Sequence, residues 1–235
     1  MIDMQRGLSK RVPKEIENAQ SDIMRESGIY YWFNEADMTE GKAMIIGPAD
    51  TPYAFCPLIF SFKLSDDYPF SPPAVQILTS DGATRFHPNL YVGGKVCLSI
   101  LGTWNGPKWS AIMTISSVLS SIQSLLERNP ITNEPGWEKY TLDQQPAKDY
   151  ADFVHNRIVS LCFRDLSRWR RGQIHPLWKE FEDVLKERGE EWYQKLLADI
   201  RENAASDEKT YTGIPYSMGG TTDWRRLLEI SEQPL

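Results

Sequence analysis

Apolar positions along the chain switch from a helical period to a strand period and back, and the switches outline an architecture. From Ser9 to Ser27, Val12, Ile16, Ala19 and Ile23 recur at spacings of four, three and four, the stripe of an amphipathic helix. Ser9 is placed to cap that helix, Pro13 then falls near its first turn, and Gly28 ends it. Between Tyr30 and Leu78 the pattern becomes short β-rich runs: YYWFN, KAMIIG, PLIFSFKL and AVQIL. The separators EADMTEG, PADTPY and SDDYPFSPP are rich in Gly, Pro and Asp, so the runs predict an antiparallel meander of four strands. The prolines of YPFSPP exclude a helix or strand interior there and leave Phe70 either packed beneath an extended segment or offered to a partner.

The helical period returns at residues 114–128, where Ile115, Val118, Leu119, Ile122, Leu125 and Leu126 form a broad apolar face behind Thr114 as cap, and Asn129-Pro130 stops it. Gln144 to Trp169 contains a further helix with Tyr150, Phe153, Val154, Ile158 and Leu161 on one side. After a break at Gly172, Trp178, Phe181, Leu185, Trp192 and Leu196 mark another helical region. Residues 203–221 read as a loop, and TDWRRLLEIS at 222–231 as a short closing helix that docks back. The expected class is α+β: N-terminal helix, four-stranded meander, an irregular stretch, then helices.

Composition narrows the function. The 235 residues, 41% of them hydrophobic, suffice for one sizeable core with an extension. A formal net charge of −6 argues against nucleic-acid binding, which needs surplus Lys and Arg, and makes proteins the expected partners. Cys56, Cys97 and Cys162 are odd in number and far apart, so a reducing compartment, the cytoplasm with the nucleus as a second site, is expected. No stretch approaches the roughly 18 apolar residues of a membrane span, no phosphate-binding glycine loop is present, and the Cys and His spacings give no zinc site, so neither membrane, metal nor cofactor is expected.

Thr79 to Met113 carries little regular pattern, and a stretch that long inside a compact domain is usually functional. It holds His87-Pro88-Asn89, Gly93-Gly94, Cys97 and the insert GTWNGPKW. Pro88 fixes one torsion of a turn, and an amide N–H held there, on Asn89, is the type of donor that stabilises an oxyanion. Cys97 can be a nucleophile, or a small hydrophobe in a buried Val96-Cys97-Leu98 strand. His87 could be drawn as its base in a thiol hydrolase, but the local setting of a cysteine peptidase is missing.

At these residues the sequence resembles the ubiquitin-conjugating enzymes, the E2 cysteine transferases of the UBC fold. The resemblance runs in order through KRVPKEI, GPADTPY, YPFSPP, FHPN with its cysteine eight positions on, CLSIL, WSAIMTISSVL and the helix end NP, over about residues 9 to 165. GKVCLSILGTW, GPKWS and NEPG, with a long C-terminal extension, are similar to the Z-type members. The resemblance implies a core of residues 1–168 and a helical extension of residues 169–235. It implies that Cys97 accepts the carboxyl terminus of ubiquitin or a ubiquitin-like modifier from an activating enzyme as a thioester. From there the acyl group passes to a substrate lysine or a ligase cysteine. Asn89 would orient the flap and stabilise the oxyanion, with His87 and Pro88 shaping the turn. ATP is used by the activating enzyme, not by this chain. The alternative is an inactive UBC-fold module that binds ubiquitin or a ligase; the presence of both Cys97 and Asn89 weighs against it.

Where the family commonly has an acid two places after the cysteine, Ser99 stands, so the resemblance makes Glu134 the candidate acid. Partner docking in the family maps onto Lys10, Arg11 and Lys14, then Pro69 and Phe70, then Ser110, Ala111 and Ile112. Ala111 replaces a frequent proline, which leaves the choice of ligase open. Cys56 and Cys162 read as packing, and Trp178, Phe181, Trp192 and Trp224 as the buried side of a brace formed by the extension. The insert GTWNGPKW is expected to wall the thioester and narrow the route to Cys97.

Overall fold

A computed structural model describes the backbone of residues 2–206 and 208–232, and side chains from residue 11 onward. The first helix, α1 (Ile2–Ala19), starts well before Ser9, so Ser9 lies inside it instead of capping it. Pro13 is therefore an interior proline, which removes one N–H from the helix ladder. Val12, Ile16 and Ala19 are buried as their spacing predicts. The expected stripe fails at Ile23, which is 75% exposed. The reason is a break at Gln20 and Ser21: a separate short helix, α2 (Asp22–Glu26), restarts the phase and turns Met24 inward instead.

Strands β1 (Ile29–Asn34), β2 (Asp37–Ile46), β3 (Pro57–Lys63) and β4 (Ala74–Ile77) form one antiparallel sheet in the order β1-β2-β3-β4. β2 starts earlier than KAMIIG, because Asp37 pairs across a tight turn with Asn34 and takes most of the presumed separator into the strand. Register is set by pairs such as Tyr31 with Ala43 and Ala43 with Phe60. Pro57 to Phe60 is buried throughout, as expected for a central strand covered on both faces.

α3 (Ile115–Leu125) begins at Thr114, whose hydroxyl accepts from the Ser117 amide while Ser117 reciprocates, a capping box. All six of its expected apolar positions are buried. α4 (Gln145–Arg170) buries Tyr150, Phe153, Val154 and Ile158, with Leu161 half-buried. The expected division after residue 168 falls inside its last turn. A short 3-10 helix (Pro176–Phe181) leads into α5 (Glu182–Ala204). Trp192 meets Tyr30 of β1 edge-on at 5.9 Å and Tyr193 stacks on Phe163 of α4 at 5.0 Å. Trp178, Phe181, Trp192 and Trp224 are all buried, so the extension braces sheet and α4 together.

A further expectation is overturned. Residues 203–221 are not a loop: β5 (Thr210–Ile214) and β6 (Met218–Thr221) form an antiparallel hairpin before α6 (Trp224–Ser231). The hairpin was hidden because β6 reads MGGT, two glycines in a four-residue strand, which carries almost no apolar alternation. Tyr211, Ile214 and Met218 bury its inner face, where Tyr211 meets Phe153 of α4 edge-on at 5.8 Å. Among the described residues, no helix is long and apolar enough to cross a membrane.

Candidate active site

Residues 79–113 are irregular as expected. They are held by isolated bridges, His87 to Leu90 and Leu90 to Val96, and by a 3-10 turn at Ser99–Leu101. The bridges fold the chain back so that Asn89 and Cys97 face each other. The Cys97 amide donates to the Asn89 carbonyl at 2.8 Å, and the Asn89 side-chain Nδ2 donates to the Cys97 carbonyl at 2.7 Å. The side chain of Asn89 is thus fixed to the backbone of the very residue it was expected to serve.

The turn is stiffened from within. The Asn89 amide donates to Nδ1 of His87 at 2.9 Å. An acceptor Nδ1 makes His87 a neutral imidazole with its proton on Nε2. Full burial, and secondarily the nearby Arg85 guanidinium, push its pKa down to about 3. His87 therefore cannot serve Cys97 as a base: its available nitrogen is occupied by the turn and the ring resists protonation. The thiol-hydrolase drawing is excluded on that geometry.

Cys97 is 1% exposed. The backbone around it is tied by Thr103, whose hydroxyl accepts from the Leu98 amide at 3.0 Å and donates to the Val96 carbonyl at 2.7 Å. Nothing in the apolar pattern singles out this threonine. The insert starting at Gly102, which sits at φ +70°, is largely exposed, including Trp104 at 39%. Gly106 comes down on Ser99, so closely that a β-carbon there would meet the Ser99 Cβ at 3.0 Å. Trp109 anchors the far end by donating Nε1–H to the Pro69 carbonyl at 2.7 Å. The insert thus folds over Ser99 through its backbone, whereas its Trp104 ring remains in solvent.

Glu134 follows a short 3-10 turn (Pro130–Asn133), and its Oε2 accepts from the Tyr216 hydroxyl at 2.7 Å. Tyr216 lies at the tip of the C-terminal hairpin, a residue absent from the expectations. Burial first, and the Glu134 hydrogen bond second, push its phenol pKa upward. Arg85 was also missed. Its guanidinium lies between the rings of Tyr91 at 3.7 Å and Tyr216 at 4.1 Å, and its Nη2 donates to the Pro88 carbonyl.

Hydrogen bonds tie the expected docking segments together, Arg11 to the Ala111 carbonyl and Trp109 to that of Pro69. Phe70 and Ile112 are 71% and 87% exposed. Lys14 is exposed, Pro69 and Ala111 half-exposed and Ser110 exposed, while the side chain of Lys10 lies outside the described residues. Arg11 is half-buried and acts as a brace. It pairs with Glu15 and donates to the carbonyls of Ala111 at 2.6 Å and Met113 at 2.7 Å. Glu15 in turn accepts from the Tyr68 hydroxyl and from the Ile115 amide at 3.0 Å, so one buried carboxylate joins α1, the YPF segment and α3. Cys56 and Cys162 are buried side by side, and their mutual burial raises the Cys162 thiol. Among the described residues no group of three or more His, Cys, Asp or Glu side chains is arranged to hold a metal ion.

Comparison with known proteins places this geometry. The family model described as ubiquitin-conjugating enzyme matches residues 11–156, from α1 to the first half of α4. The human protein named ubiquitin-conjugating enzyme E2 Z is 44% identical over 153 residues, 64% of this chain and 42% of that protein. The Caenorhabditis elegans probable ubiquitin-conjugating enzyme protein 17 is 32% identical over 245 residues, 97% of this chain and 33% of that protein. A solved E2 domain of a Toxoplasma gondii ubiquitin conjugating enzyme is similar with TM-score 0.45 at 27% identity, over 62% of this chain and 97% of that one. The chain spans less than half the length of these curated relatives. With a match over more than half of its residues, the chain belongs to the ubiquitin-conjugating enzyme family.

Proposed function

We propose that the chain is a conjugating enzyme that carries ubiquitin or a ubiquitin-like modifier as a thioester on Cys97. The Cys97 thiolate attacks the modifier thioester of an activating enzyme, the new C–S bond forms, and the activating enzyme's thiolate leaves. An unprotonated substrate lysine, or a ligase cysteine, then attacks the same carbonyl, and the Cys97 thiolate leaves. ATP serves the activating enzyme, and this step needs no metal or cofactor of its own.

The observation that carries the reading is the pair of hydrogen bonds between Asn89 and Cys97. They tie the Asn89 side-chain amide to the backbone of Cys97, which supports a role for it beside the acyl group. One Nδ2 hydrogen is used by the Cys97 carbonyl, and the other remains for the oxyanion that develops during attack. The enzyme would supply position and electrostatics, since the thioester is already activated. Because Cys97 is 1% exposed, the reading requires the segment around the thiol to open before a modifier's carboxyl terminus can reach it. Exposed Phe70 and Ile112, with Pro69, Ser110, Ala111 and Lys14, would receive the activating enzyme and the ligase.

The test is a charging assay with modifier, its activating enzyme and ATP. Wild type is expected to form an adduct that thiol reductant and hydroxylamine both release, and Cys97→Ala to form none. An adduct on Cys97→Ala would sink the assignment. Asn89→Ala should charge normally and discharge slowly onto free lysine.

A further inference from the structure

The C-terminal hairpin reaches across the molecule to the turn that carries Asn89. At its tip, Tyr216 and Ser217 adopt φ values of +65° and +56°, a backbone region that non-glycine side chains rarely occupy. That conformation presents the Tyr216 ring to Arg85, whose guanidinium it presses against Tyr91 at 4.1 Å and 3.7 Å respectively. Held between these two rings, Arg85 donates from Nη2 to the carbonyl of Pro88, the residue before Asn89. The rest of the surroundings fasten the same segment. The Arg85 amide donates to Sδ of Met218 in β6 at 3.1 Å, and the Tyr150 hydroxyl of α4 donates to the Arg85 carbonyl at 2.9 Å. Tyr216 itself is held by Tyr150, edge-on at 5.9 Å, and by its hydroxyl on Glu134 at 2.7 Å.

We propose that Tyr216 is a positioning residue for the acyl-transfer step: by clamping Arg85 against Tyr91 and fixing the Glu134 carboxylate, the C-terminal hairpin sets the geometry of the His87-Pro88-Asn89 turn opposite Cys97. The proposal deepens the conjugating-enzyme reading and rests on it for its kinetic consequence. A scaffold role alone does not need an aromatic ring in a left-handed backbone conformation or an arginine brought between two tyrosines. It also does not need a hydroxyl aimed at the acid the family resemblance singles out. The clamp gives the extension a task at the site itself: it ties the turn that orients the acyl group to an element far away in sequence. Loosening that turn by a fraction of an ångström costs rate without costing the thioester, because the amide of Asn89 matters when the lysine attacks.

The experiment uses the full chain and two readouts. In single-turnover discharge onto free lysine, Tyr216→Ala is expected to charge at the wild-type rate. Its discharge rate at saturating lysine should fall about tenfold, with half-saturation unchanged. Tyr216→Phe keeps the ring on Arg85 and loses only the hold on Glu134, so it should recover most of that loss. The double variant with Asn89→Ala should discharge no more slowly than Asn89→Ala alone, because Tyr216 acts through that turn. Multiplying losses, or wild-type discharge by Tyr216→Ala, would overturn the clamp. The second readout is amide hydrogen exchange, which needs no partner protein. Tyr216→Ala and Arg85→Lys should both speed exchange at the Asn89 and Cys97 amides, while α5 stays protected. Unchanged exchange there overturns the clamp whether or not the chain charges. Failure of wild type to charge while exchange responds overturns the conjugating-enzyme reading and leaves the clamp standing.

Discussion

Two arginines brace two regions of the molecule, and they do so by different chemistry. Arg11 holds the expected docking loop through a planar fork: two backbone carbonyls, Ala111 and Met113, and a carboxylate, Glu15. Arg85 holds the Asn89 turn with its guanidinium over the rings of Tyr91 and Tyr216 and one carbonyl bond to Pro88. The Arg11 brace is anchored four residues away on its own helix, so it is complete once α1 packs on α3. The Arg85 brace is complete only when a hairpin from the far end of the chain arrives. The first face is therefore set by the core itself, and the second depends on the extension.

The comparison breaks most severely at Glu15. This buried carboxylate receives Arg11, the Tyr68 hydroxyl and the Ile115 amide. Glu15→Ala strands the Tyr68 hydroxyl and the Ile115 amide in a buried site and takes the carboxylate from the partly exposed Arg11, and the expected loss of stability is roughly 4 kcal/mol, read as a lower midpoint in urea unfolding. A loss under about 1 kcal/mol would show that water replaces the carboxylate and that the junction is not closed.

These two braces differ in how far the sequence reveals them. The strands, α3 and the apolar side of α4 follow from period and turn chemistry, and Asn89 beside Cys97 follows from the family's motif order. The Glu15 network is half legible: Arg11 and Glu15 stand four apart on one helix, but side-chain hydrogen bonds to distant carbonyls leave no mark on periodicity. Arg85 and Tyr216 leave even less. They are separated by most of the helical half of the chain, and the hairpin that joins them contains Gly219, where the Tyr211 carbonyl lies too close for a β-carbon, and Gly220, whose φ of +138° favours glycine. Close backbone approach, not alternation, built that element.

The next effect separates the braces by face. Arg11→Ala removes two charged donors from loop carbonyls and is expected to cost about 2 kcal/mol. It should weaken ligase or activating-enzyme binding and leave intrinsic lysine discharge unchanged, since Asn89 and Cys97 keep their bonds. Equal damage to intrinsic discharge would mean that the two faces are mechanically one.

Acid distinguishes burial from charge beside Arg85. His87 has its folded pKa depressed from 6.5 to about 3, with burial the first cause and Arg85 the second. The unfolded chain therefore binds a proton that the folded chain refuses. Stability from this group is complete above about pH 6.5 and is lost as pH falls toward 3. Between pH 7.5 and 5.5 the loss is about 1.4 kcal/mol. Urea midpoints should show it in wild type and lack that component in His87→Gln. Arg85→Gln should keep it, because burial alone holds the imidazole neutral in that window; a shrunken loss would put the guanidinium first.

Exchange of arginine for lysine keeps the charge and removes the plane, so it isolates what each brace uses. At position 11 a lysine can follow one carbonyl or the carboxylate but not all three. At position 85 it cannot lie flat between two rings, although an ammonium still attracts each ring face. Arg85→Lys is expected to cost about 1 kcal/mol, the smallest of these effects, because part of the cation–π attraction survives. The lost part is directional. The Nη2 donor to Pro88 is gone, an ammonium without a stacked plane has no fixed position from which to replace it, and the turn gains freedom out of proportion to the energy lost. The signature is a stability near wild type by urea unfolding together with slowed lysine discharge. The reverse pattern, a large stability loss with normal discharge, would make Arg85 a packing residue and leave Asn89 positioned by His87 alone.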